Sequence, residues 1–452
     1  MKCLIPVLTA DQMREVDRAT IERGTPSATL MERAGGRVVE VIEREFAPLA
    51  RHRVLIFCGK GNNGGDGRVV ARLLQGRVGQ LQIFSIGDPQ DIRVDATLIV
   101  DALLGTGLKG PAKGEPLACI RTINALHPRA KVVAVDIPSG LGGGGESVRA
   151  DVTVTFTAPK VEHFLAAGAA EAVGRLIVAD IGSPPDLVHS DLRVSEAHDF
   201  AGLFAPRRPD SHKGDFGHVL VIGGAPGKMG AAAMSGLAAL RTGAGLVTVA
   251  CSDPSRLAPE LMSNSLDDFS LERKTVLAIG PGLGPRPDLL ARLMREAKVP
   301  MVIDADGLNS IAGTNFEGRG SHTILTPHPG EMARLTGAKV DDRWATARDF
   351  ARGRDVCVVL KGHRTLIAFP DGRVWINPTG SPAMAKGGTG DILTGMVSGM
   401  VAQYPNDIPR ALCAAVFLHG RCGELAVEDW TDRCVIATDL LRYLPRAMRE
   451  CV

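Results

Sequence analysis

A glycine-rich loop that opens directly into an apolar helix is the strongest constraint on how this chain folds. The segment Asn377–Asp391 reads NPTGSPAMAKGGTGD, and it is followed by ILTGMVSGMVAQ, in which apolar residues recur at helical spacing. Such a junction presents bare backbone N–H groups and the positive end of a helix dipole, an arrangement that binds phosphate. Asp391 stands at the mouth of the loop, in the position to accept the proton of a hydroxyl that attacks phosphorus.

A second glycine-rich loop lies far upstream. Gly59–Gly67 reads GKGNNGGDG and follows the strand-like run Val54–Cys58. Glycine clusters are more often tight turns than ligand sites, so one such match is a weak signal. In this chain each loop carries an acid and lies between an apolar run and a helix candidate. Two loops of this kind indicate two active sites.

The composition favours two globular α/β domains. The chain has 452 residues, of which 45% are hydrophobic, and this is roughly three times the length of a typical domain. A net charge of +2 and an aromatic content of 4% argue against nucleic-acid binding. No apolar stretch approaches the roughly 20 residues that span a bilayer, and the N-terminus lacks the apolar run of a secretory signal. We therefore expect a cytoplasmic protein that binds neither nucleic acid nor membrane.

The nine cysteines give no sign of a disulfide framework. They contain no CxxC pair and lie mostly in apolar runs, which indicates buried free thiols in a reducing compartment rather than a zinc site. We expect a homo-oligomer, although the residues themselves do not fix the oligomeric state.

Short apolar runs separated by turns predict the strands of both halves. Nearly continuous apolar runs are typical of strands buried on both faces of a parallel sheet. Helical periodicity marks Asp11–Arg23, Ala28–Phe46 and Gly230–Thr242. The predicted strands are Val54–Cys58, Leu81–Ile86, Thr97–Val100, Val132–Asp136, Val152–Thr157, Leu176–Ala179, His218–Gly223, Leu246–Ala250, Val276–Ile279, Val299–Asp304, Thr323–Leu325, Val356–Leu360, Thr365–Phe369 and Val374–Ile376. The last three leave no room for helices, so we expect a meander at one edge of the second sheet.

A stretch rich in Pro, Asp and Ser separates the two halves. It runs from Gly182 to about Pro209 and has the composition of a linker. We therefore predict two α/β domains, 11–187 and 195–450, of which the first is a Rossmann-like doubly wound sheet.

Acid-bearing loops follow several strand ends of the first half. The loops are Gly59–Gly67, Asp101–Pro111, Asp136–Gly140 and the FTAPK segment that ends at Lys160. In a doubly wound sheet the ligand lies beyond the carboxyl ends of the strands, so Asp101 and Asp136 should face that crevice. Either acid alone is as well explained by a helix or turn cap, but three acid-bearing loops at three strand ends favour a site.

The first-half motifs resemble a known family. GKGNNGGDG, DALLGTGLKGP, VDIPSGL and the TVTF-x-APK pattern are similar to the NAD(P)H-hydrate epimerase domain over about Asp11 to Ile181. The resemblance implies that Asn63, Asp101 and Ser139 coordinate a potassium ion, for which oxygen ligands are suitable. Asp136 would touch the substrate and act in catalysis. The residues implied to bind the hydrated dinucleotide are Asn62, Asn63, Gly64, Gly65, Asp66, Gly105, Thr106, Gly107, Leu108, Lys109, Gly110, Pro111 and Asp136.

Two stretches of the first half depart from that family. The segment between Leu74 and Asp101 is shorter than the family pattern, as if one helix were missing. LGGGGES follows the DIPSG motif where the family carries an acidic loop. Neither departure touches the motif residues.

The second half carries a denser set of motifs. They are KGDFGHVLVIGGAPG, RTGAGLVTVA, IGPGLG, VIDADGLN, LTPHPGEMARL, VLKGHRT and the NPTG…GGTGD segment. Together they resemble the ADP- or ATP-dependent NAD(P)H-hydrate dehydratase, a ribokinase-like α/β protein, over about Pro209 to Pro445. The resemblance implies ADP or ATP as co-substrate, bound by Lys361, Gly362, His363, Arg364, Thr365 and Gly390. It also implies that Ala244, Gly284, His328 and Asp391 face the hydrated nicotinamide, with Asp391 as the catalytic base.

Simpler interpretations remain open for individual residues. His328, between two prolines, is as well explained by a turn as by a ligand contact. Lys361 is of a type more often exposed than clamped on phosphate. Asp304 and Asp306 could hold a magnesium ion or cap the helix that begins near Leu308.

Two other functional classes also remain open. A ribokinase-like small-molecule kinase with an inactive N-terminal nucleotide-binding domain would use the same chemistry at Asp391 and accumulate a phosphorylated product. A non-catalytic dinucleotide-binding scaffold would not need an acid after GGTG.

Overall fold

The computed structural model describes residues 5–87 and 95–452. The described chain divides into two compact units, Ile5–Ser190 and Asp191–Val452. The predicted domain segments, 11–187 and 195–450, fall inside these units. Within the described residues, no helix is long and apolar enough to cross a membrane.

The first unit contains a six-stranded parallel sheet with the strand order β3-β2-β4-β5-β6-β7. The order reverses between β2 and β4, so the crevice beyond their carboxyl ends is the expected ligand position. Strands are β1 (Ile5–Pro6), β2 (Arg53–Cys58), β3 (Gln80–Ser85), β4 (Leu98–Ala102), β5 (Lys131–Val135), β6 (Val152–Phe156) and β7 (Arg175–Ala179). Helices are α1 (Ala10–Glu22), α2 (Ser27–Phe46), α3 (Asn62–Leu74), α4 (Gly114–Leu126), α5 (Glu162–Leu165) and α6 (Ala169–Ala172).

Both faces of this sheet are covered, which confirms the doubly wound prediction. Ile56 and Cys58 of β2 belong to an apolar cluster with residues of α2 and α3. Leu55 and Phe57 of the same strand belong to a second cluster with residues of α4. Successive side chains of a strand point to opposite faces, so a strand buried on both sides needs the unbroken apolar run seen here.

The shortened stretch predicted from the sequence is the connection from β3 to β4. Its described parts, residues 86–87 and 95–97, contain no helix. The remaining residues, 88–94, lie outside the described chain.

The second unit contains a larger sheet with the order β8-β17-β16-β15-β14-β13-β12-β9-β10-β11. Its strands are β8 (Leu192–Val194), β9 (His218–Ile222), β10 (Leu246–Cys251), β11 (Met262–Ser265), β12 (Val276–Ile279), β13 (Met301–Ile303), β14 (Gly320–Leu325), β15 (Val356–Leu360), β16 (Leu366–Ala368) and β17 (Val374–Ile376). Its helices are α7 (Met229–Thr242), α8 (Pro287–Glu296), α9 (Asp306–Ile311), α10 (Pro329–Thr336), α11 (Arg343–Arg354), α12 (Thr389–Gln403), α13 (Ile408–Asp429) and α14 (Leu440–Arg449).

The predicted meander exists, but it does not form the edge of the sheet. Strand β16 runs antiparallel to both β15 and β17, as expected. Strand β8 then pairs in parallel with β17, inside the stretch that we expected to be a linker. A three-residue strand in polar surroundings is too short to show periodicity. Strand β11 was also missed, because its four residues are polar or exposed and lie at a sheet edge.

Helix α12 forms the centre of the second unit. Its residues from Ile392 to Ala402 are all buried, as a helix that is apolar on every side requires. Two glycines, Gly395 and Gly399, let it approach α7, because a Cβ atom at either position would overlap backbone atoms of that helix. This close packing fixes the first turn of α12, where Asp391 lies.

Candidate active sites

The NNGGD motif of the first unit forms the first turns of α3 rather than an open loop. Gly61 precedes this helix with an extended backbone and no side-chain cap, so the first N–H groups stay available to an anion. Gly64 has to be glycine, because a Cβ atom there would overlap the Gly59 carbonyl oxygen. The predicted binding residues Asn62–Asp66 therefore stand at the carboxyl end of β2.

The three predicted potassium ligands lie in one buried cluster. The backbone N–H and hydroxyl of Ser139 donate to the Asp101 carboxylate at 2.8 and 2.6 Å. The Asn63 amide nitrogen donates to the Leu104 carbonyl at 3.1 Å, and the Leu104 N–H donates to the Ser139 hydroxyl at 2.9 Å. The Asn63 Oδ1 atom is buried without a hydrogen-bond partner, so an oxygen remains free for a cation. Burial raises the pKa of Asp101 to about 6.

Asp136 forms a buried ion pair with a residue that we had not assigned a role. The Lys160 ammonium donates to Asp136 Oδ1 at 2.6 Å, to the Thr155 hydroxyl at 2.8 Å and to the Phe156 carbonyl at 3.0 Å. Lys160 is 1% exposed. Asp136 takes a φ of +63°, a left-handed conformation that is unusual for a residue other than glycine and is often found at functional sites.

The buried His163 hydrogen-bonds to the backbone of both residues of this ion pair. The Lys160 backbone N–H donates to His163 Nδ1 at 2.9 Å, and His163 Nε2 lies 2.9 Å from the Asp136 carbonyl oxygen. Burial lowers the pKa of His163 to about 4, so the imidazole is neutral and donates from Nε2.

A cavity of about 660 Å³ brings these residues together. Asp17, Asp66, Asp136 and Lys160 line it, as does the loop Gly105–Lys109 of the predicted binding segment. Four of the predicted binding residues are not part of the lining, namely Gly64, Gly65, Gly110 and Pro111. Sequence reasoning assigned no role to several residues of this lining, and Asp17 and Lys160 are two charged ones among them. The APK motif placed Lys160 at a strand end, whereas nothing in the α1 sequence distinguished Asp17 from a surface acid.

The GGTGD loop of the second unit ends in a left-handed turn. Gly388 has a φ of +94°, and a Cβ atom there would lie 2.8 Å from Met234 Cε. The Thr389 hydroxyl donates to the Met384 and Lys386 carbonyls at 2.9 Å each. Asp391 follows in the first turn of α12. Burial and the nearby Asp304 raise its pKa to about 6, although Lys361 opposes the shift.

Asp304 connects the GGTGD helix to the strand end that carries Lys361. Its two oxygens accept hydrogen bonds from the Lys361 ammonium and the Thr394 hydroxyl, both at 2.7 Å. Burial would lower the pKa of Lys361, but Asp304 and Glu331 hold it above its ordinary value. A Cβ atom at Gly390 would lie 3.6 Å from the Lys361 ammonium. The predicted Lys361, Gly390 and Asp391 are therefore neighbours.

The segment Lys361–Thr365 is a strained loop held by one arginine. Gly362 and Arg364 have φ values of +142° and +52°. The Arg343 guanidinium of α11 donates to the carbonyls of His363 at 2.6 Å, Leu360 at 3.3 Å and Arg364 at 3.4 Å. Sequence reasoning missed Arg343, because only the fold brings α11 beneath this loop.

His328 caps a helix and also stands at the edge of the site. Its Nδ1 atom accepts the backbone N–H groups of Gly330 and Glu331 at 3.0 and 3.3 Å, and the Glu331 carboxylate accepts the His328 N–H at 2.8 Å. This capping box at the start of α10 agrees with the turn interpretation. Half of the His328 side chain stays exposed at the carboxyl end of β14.

Gly284 lies at the carboxyl end of β12, beside Asp306. Its N–H donates to Asp306 Oδ2 at 2.8 Å, and the Lys228 ammonium lies 3.2 Å from the same oxygen. Asp306 thus orders the Gly284 loop. The described residues contain no group of three or more His, Cys, Asp or Glu that could hold a metal ion.

The structure does not bring Ala244 to this site. Ala244 precedes β10, and its neighbour Gly243 adjoins Gln403 at the far end of α12. Asp391 and Gln403 are separated by about 18 Å along that helix. Ala244 therefore lies at the amino edge of the sheet, away from Asp391, and its assignment as a substrate contact stays a prediction.

Family profiles match both units. The profile for NAD(P)H-hydrate dehydratase matches residues 219–446. The profile for the YjeF-related protein N-terminus matches residues 27–97 and 80–162.

Whole-length relatives share both units. The chain is 42% identical to the bifunctional NAD(P)H-hydrate repair enzyme of Moorella thermoacetica over 98% of this chain and 97% of that protein. It is 35% identical to the Escherichia coli enzyme of the same name, over 97% and 93% of the two chains.

Solved structures match the second unit. The ADP/ATP-dependent NAD(P)H-hydrate dehydratase of Bacillus subtilis, co-crystallised with ATP and Mg²⁺, superposes with a TM-score of 0.51 at 35% identity. That match covers 55% of this chain and 96% of the other. A ribokinase-like protein of Enterococcus faecalis superposes with a TM-score of 0.54 at 29% identity, over 58% and 98% of the chains. The ribokinase-like prediction for the second unit is confirmed, and the chain belongs to the family of bifunctional NAD(P)H-hydrate repair enzymes.

Proposed function

We propose that this chain converts hydrated NADH and NADPH back to NADH and NADPH in two steps. Each step takes place in its own domain, the first in 11–187 and the second in 195–450. The first domain interconverts the R and S hydrates. The second dehydrates the S form at the expense of ADP or ATP. The observation that carries the proposal is the junction at Asp391, where an acid, a glycine-rich helix N-terminus and the Lys361–Asp304 pair meet.

The second site has the groups that phosphoryl transfer needs. The free N–H groups at the start of α12 and the Lys361 ammonium stabilise negative charge as it develops on the transferred phosphoryl group. Asp391 accepts the proton of the substrate hydroxyl while that oxygen attacks phosphorus. The lone pair of the ring nitrogen then expels phosphate as the C–O bond breaks and a C=N bond forms. Loss of a proton from the adjacent ring carbon to water restores the reduced nicotinamide ring. Phosphate is a far better leaving group than hydroxide, which accounts for the use of a nucleotide.

The strained loop at Lys361–Thr365 is the proposed contact for the nucleotide. Arg343 donates to two carbonyls of this loop and to the Leu360 carbonyl just before it, which fixes the backbone of the loop. Gly284 and His328 at neighbouring strand ends would contact the hydrated nicotinamide. Both oxygens of Asp304 already accept hydrogen bonds, from Lys361 and Thr394, so this carboxylate is not a free ligand for a magnesium ion.

The first site fits a potassium ion at Asn63, Asp101 and Ser139. Asn63 Oδ1 is the free oxygen, and all three residues are buried. A bound cation would balance the buried charge of Asp101 and keep the Leu104 loop in place. Asp136 is the proposed catalytic group for epimerisation, because one of its oxygens faces the cavity of the first unit.

The direct test incubates the protein with hydrated NADH and ADP or ATP while the absorbance of the reduced nicotinamide is followed. The expected result is recovery of NADH with release of inorganic phosphate in equal amount. A stable phosphorylated product without recovered NADH would instead indicate a small-molecule kinase. The expected homo-oligomer and cytoplasmic location stay predictions, which light scattering and localisation of the tagged protein would decide.

A further inference from the structure

The carboxyl group of Asp66 faces the first cavity without a protein partner. Asp66 projects from α3 and is 8% exposed. No hydrogen bond or ion pair reaches its side chain from any residue that the structure describes. An unpaired buried carboxyl is costly for folding, so its position on the cavity wall indicates a ligand-directed role.

Asp136 presents a second carboxyl oxygen to the same cavity. Its Oδ1 atom accepts from Lys160 and Thr155. Its Oδ2 atom has no hydrogen-bond donor among the described residues and lies 3.9 Å from a Cβ placed on Gly105. All three protons of the Lys160 ammonium are used within the protein. Lys160 therefore cannot bind substrate directly and acts only through Asp136.

The two carboxyl groups have opposite environments. Burial, with the nearby Asp136 and Asp17, raises the pKa of Asp66 to about 8. Burial also acts on Asp136, but Lys160, His163 and Thr155 hold the pKa of that carboxyl below its ordinary value. Asp17, the third acid of the cavity, has a pKa raised to about 6 by burial. Near pH 7 the cavity thus holds a neutral acid and an ionised base, which is the usual arrangement of an acid–base pair.

Inversion of the hydrated carbon needs two such groups. If the C–N bond stays intact, the hydroxyl leaves from one face and water adds to the other. We propose that Asp66 and Asp136, on α3 and at the end of β5, form the acid–base pair of epimerisation, with Lys160 as the positioning residue of Asp136. This inference rests on the proposed epimerase function.

The proposed step balances as follows. The C–O bond breaks, the lone pair of the ring nitrogen forms a C=N bond, and the departing hydroxide takes the Asp66 proton and becomes water. A water molecule then adds to the carbon from the Asp136 side. The C=N electrons return to nitrogen, and the surplus proton of that water passes to Asp136. In the opposite direction Asp136 is the acid and Asp66 the base, so each protonation form of the pair acts on one epimer.

The first experiment follows a single epimer in ¹⁸O-labelled water with the full-length protein, potassium and no nucleotide. The proposal predicts one solvent oxygen in every molecule of inverted product at early times. Inverted product that keeps its original oxygen would overturn the proposal, because the ring would then have opened at the C–N bond. Absence of any inversion by the wild-type protein would refute the epimerase function itself, and the inference with it.

The second experiment compares Asp66→Asn with Asp17→Asn, which removes a charge from the same cavity. Asp66→Asn should lower kcat for inversion by about 10²–10⁴-fold with little change in KM. Asp17→Asn should cost clearly less. Equal losses in the two variants, or near-normal inversion by Asp66→Asn, would contradict the assignment. An unchanged thermal unfolding transition and circular dichroism spectrum of each variant would show that the first unit is folded.

The third experiment tests Lys160 through a pH profile. Lys160→Met removes the charge that keeps Asp136 ionised, so the acidic limb of the inversion profile should move to higher pH and the rate should recover partly there. A uniform loss at every pH would mean that Lys160 is only structural and would overturn its positioning role. The thermal unfolding transition of the same variant again serves as the folding control.

Discussion

Each of the two sites contains a lysine that follows one strand and is paired with an aspartate that follows another strand of the same sheet. In the first site the Lys160 ammonium donates all three of its hydrogen bonds within the protein. Its partner Asp136 keeps one carboxyl oxygen for the ligand. In the second site the partner Asp304 is fully engaged, and Lys361 keeps protons that face the GGTGD loop. The same pair therefore supplies a carboxylate in one site and a cation in the other.

This difference matches the chemistry proposed for each site. Proton exchange at a hydroxyl needs a carboxylate that a neighbouring cation keeps ionised. Phosphoryl transfer instead needs positive charge near the transferred group. The glycine-rich loops alone do not make the distinction, because both open into a helix N-terminus.

The largest effect should come from Asp391→Asn. Loss of the general base should lower nucleotide-dependent dehydration by about 10²–10⁴-fold. Nucleotide binding should stay near normal, because the backbone N–H groups of the loop remain. Calorimetric titration with ATP and a dehydration assay separate the two quantities. Near-normal turnover would mean that Asp391 is not the base.

Lys361→Met should show that the second lysine, unlike the first, acts on the ligand. We expect a loss of about 10²–10³-fold in kcat/KM for dehydration, since a donor to the transition state disappears. Epimerisation by the same protein should be unaffected and serves as the control. A mere shift of the pH profile, as predicted for Lys160→Met, would make the two sites equivalent and would break the comparison.

The two reactions should respond to pH in opposite directions. Dehydration requires ionised Asp391, whose pKa is raised to about 6, so its rate should fall about tenfold per pH unit below that value. Inversion in one direction requires protonated Asp66, whose pKa is raised to about 8, so that rate should fall as pH rises above it. Initial rates of both reactions, measured between pH 5 and 9 at intervals of about 0.5 pH unit, check the direction of each pH dependence. Parallel profiles would contradict the assignment of both acids.

The smallest effect concerns the packing that holds Asp391. Gly395→Ala should destabilise the second unit by about 1–3 kcal/mol, because the new Cβ would overlap the Ser235 carbonyl and approach Ala238 Cβ. Gly353→Ala, on an exposed helix with open space around it, should be neutral or stabilising by up to about 1 kcal/mol. Urea unfolding of both variants measures the difference. Equal stabilities would show that α7 and α12 can separate without cost.

The features predicted best from the sequence are those that a local pattern determines, above all the buried strands. Unbroken apolar runs such as Val356–Leu360 became buried strands because such a run has no exposed alternative. Strand β11 was missed because an edge strand needs no apolar residues. Motifs predicted that Asp391 and Lys361 lie together, and the structure places them as neighbours, since each ends or begins an element at the carboxyl edge of the sheet.

Residues whose role depends on three-dimensional neighbours were not predictable. Ala244 lies within a motif, but a motif does not show at which end of the sheet it falls. The sequence placed Lys160 at a strand end. Only the fold shows that its ammonium donates all its hydrogen bonds to Asp136, Thr155 and Phe156. The carboxyl of Asp66 was expected to bind substrate, and its contrast with Asp136 arises from burial and charge in the folded unit.

The central claim is that the two sites act on one pool of hydrate, and a complementation assay tests it most directly. A mixed-epimer sample is treated with ATP and the full-length Asp136→Asn variant, which keeps the second site. The progress curve should plateau when the usable epimer is consumed, apart from slow spontaneous epimerisation measured without protein. Addition of the Asp391→Asn variant, which keeps the first site, should restart it and carry it to completion, as the wild-type protein does alone. Complete clearance by Asp136→Asn alone, faster than the spontaneous background, would contradict the division of labour between the two sites.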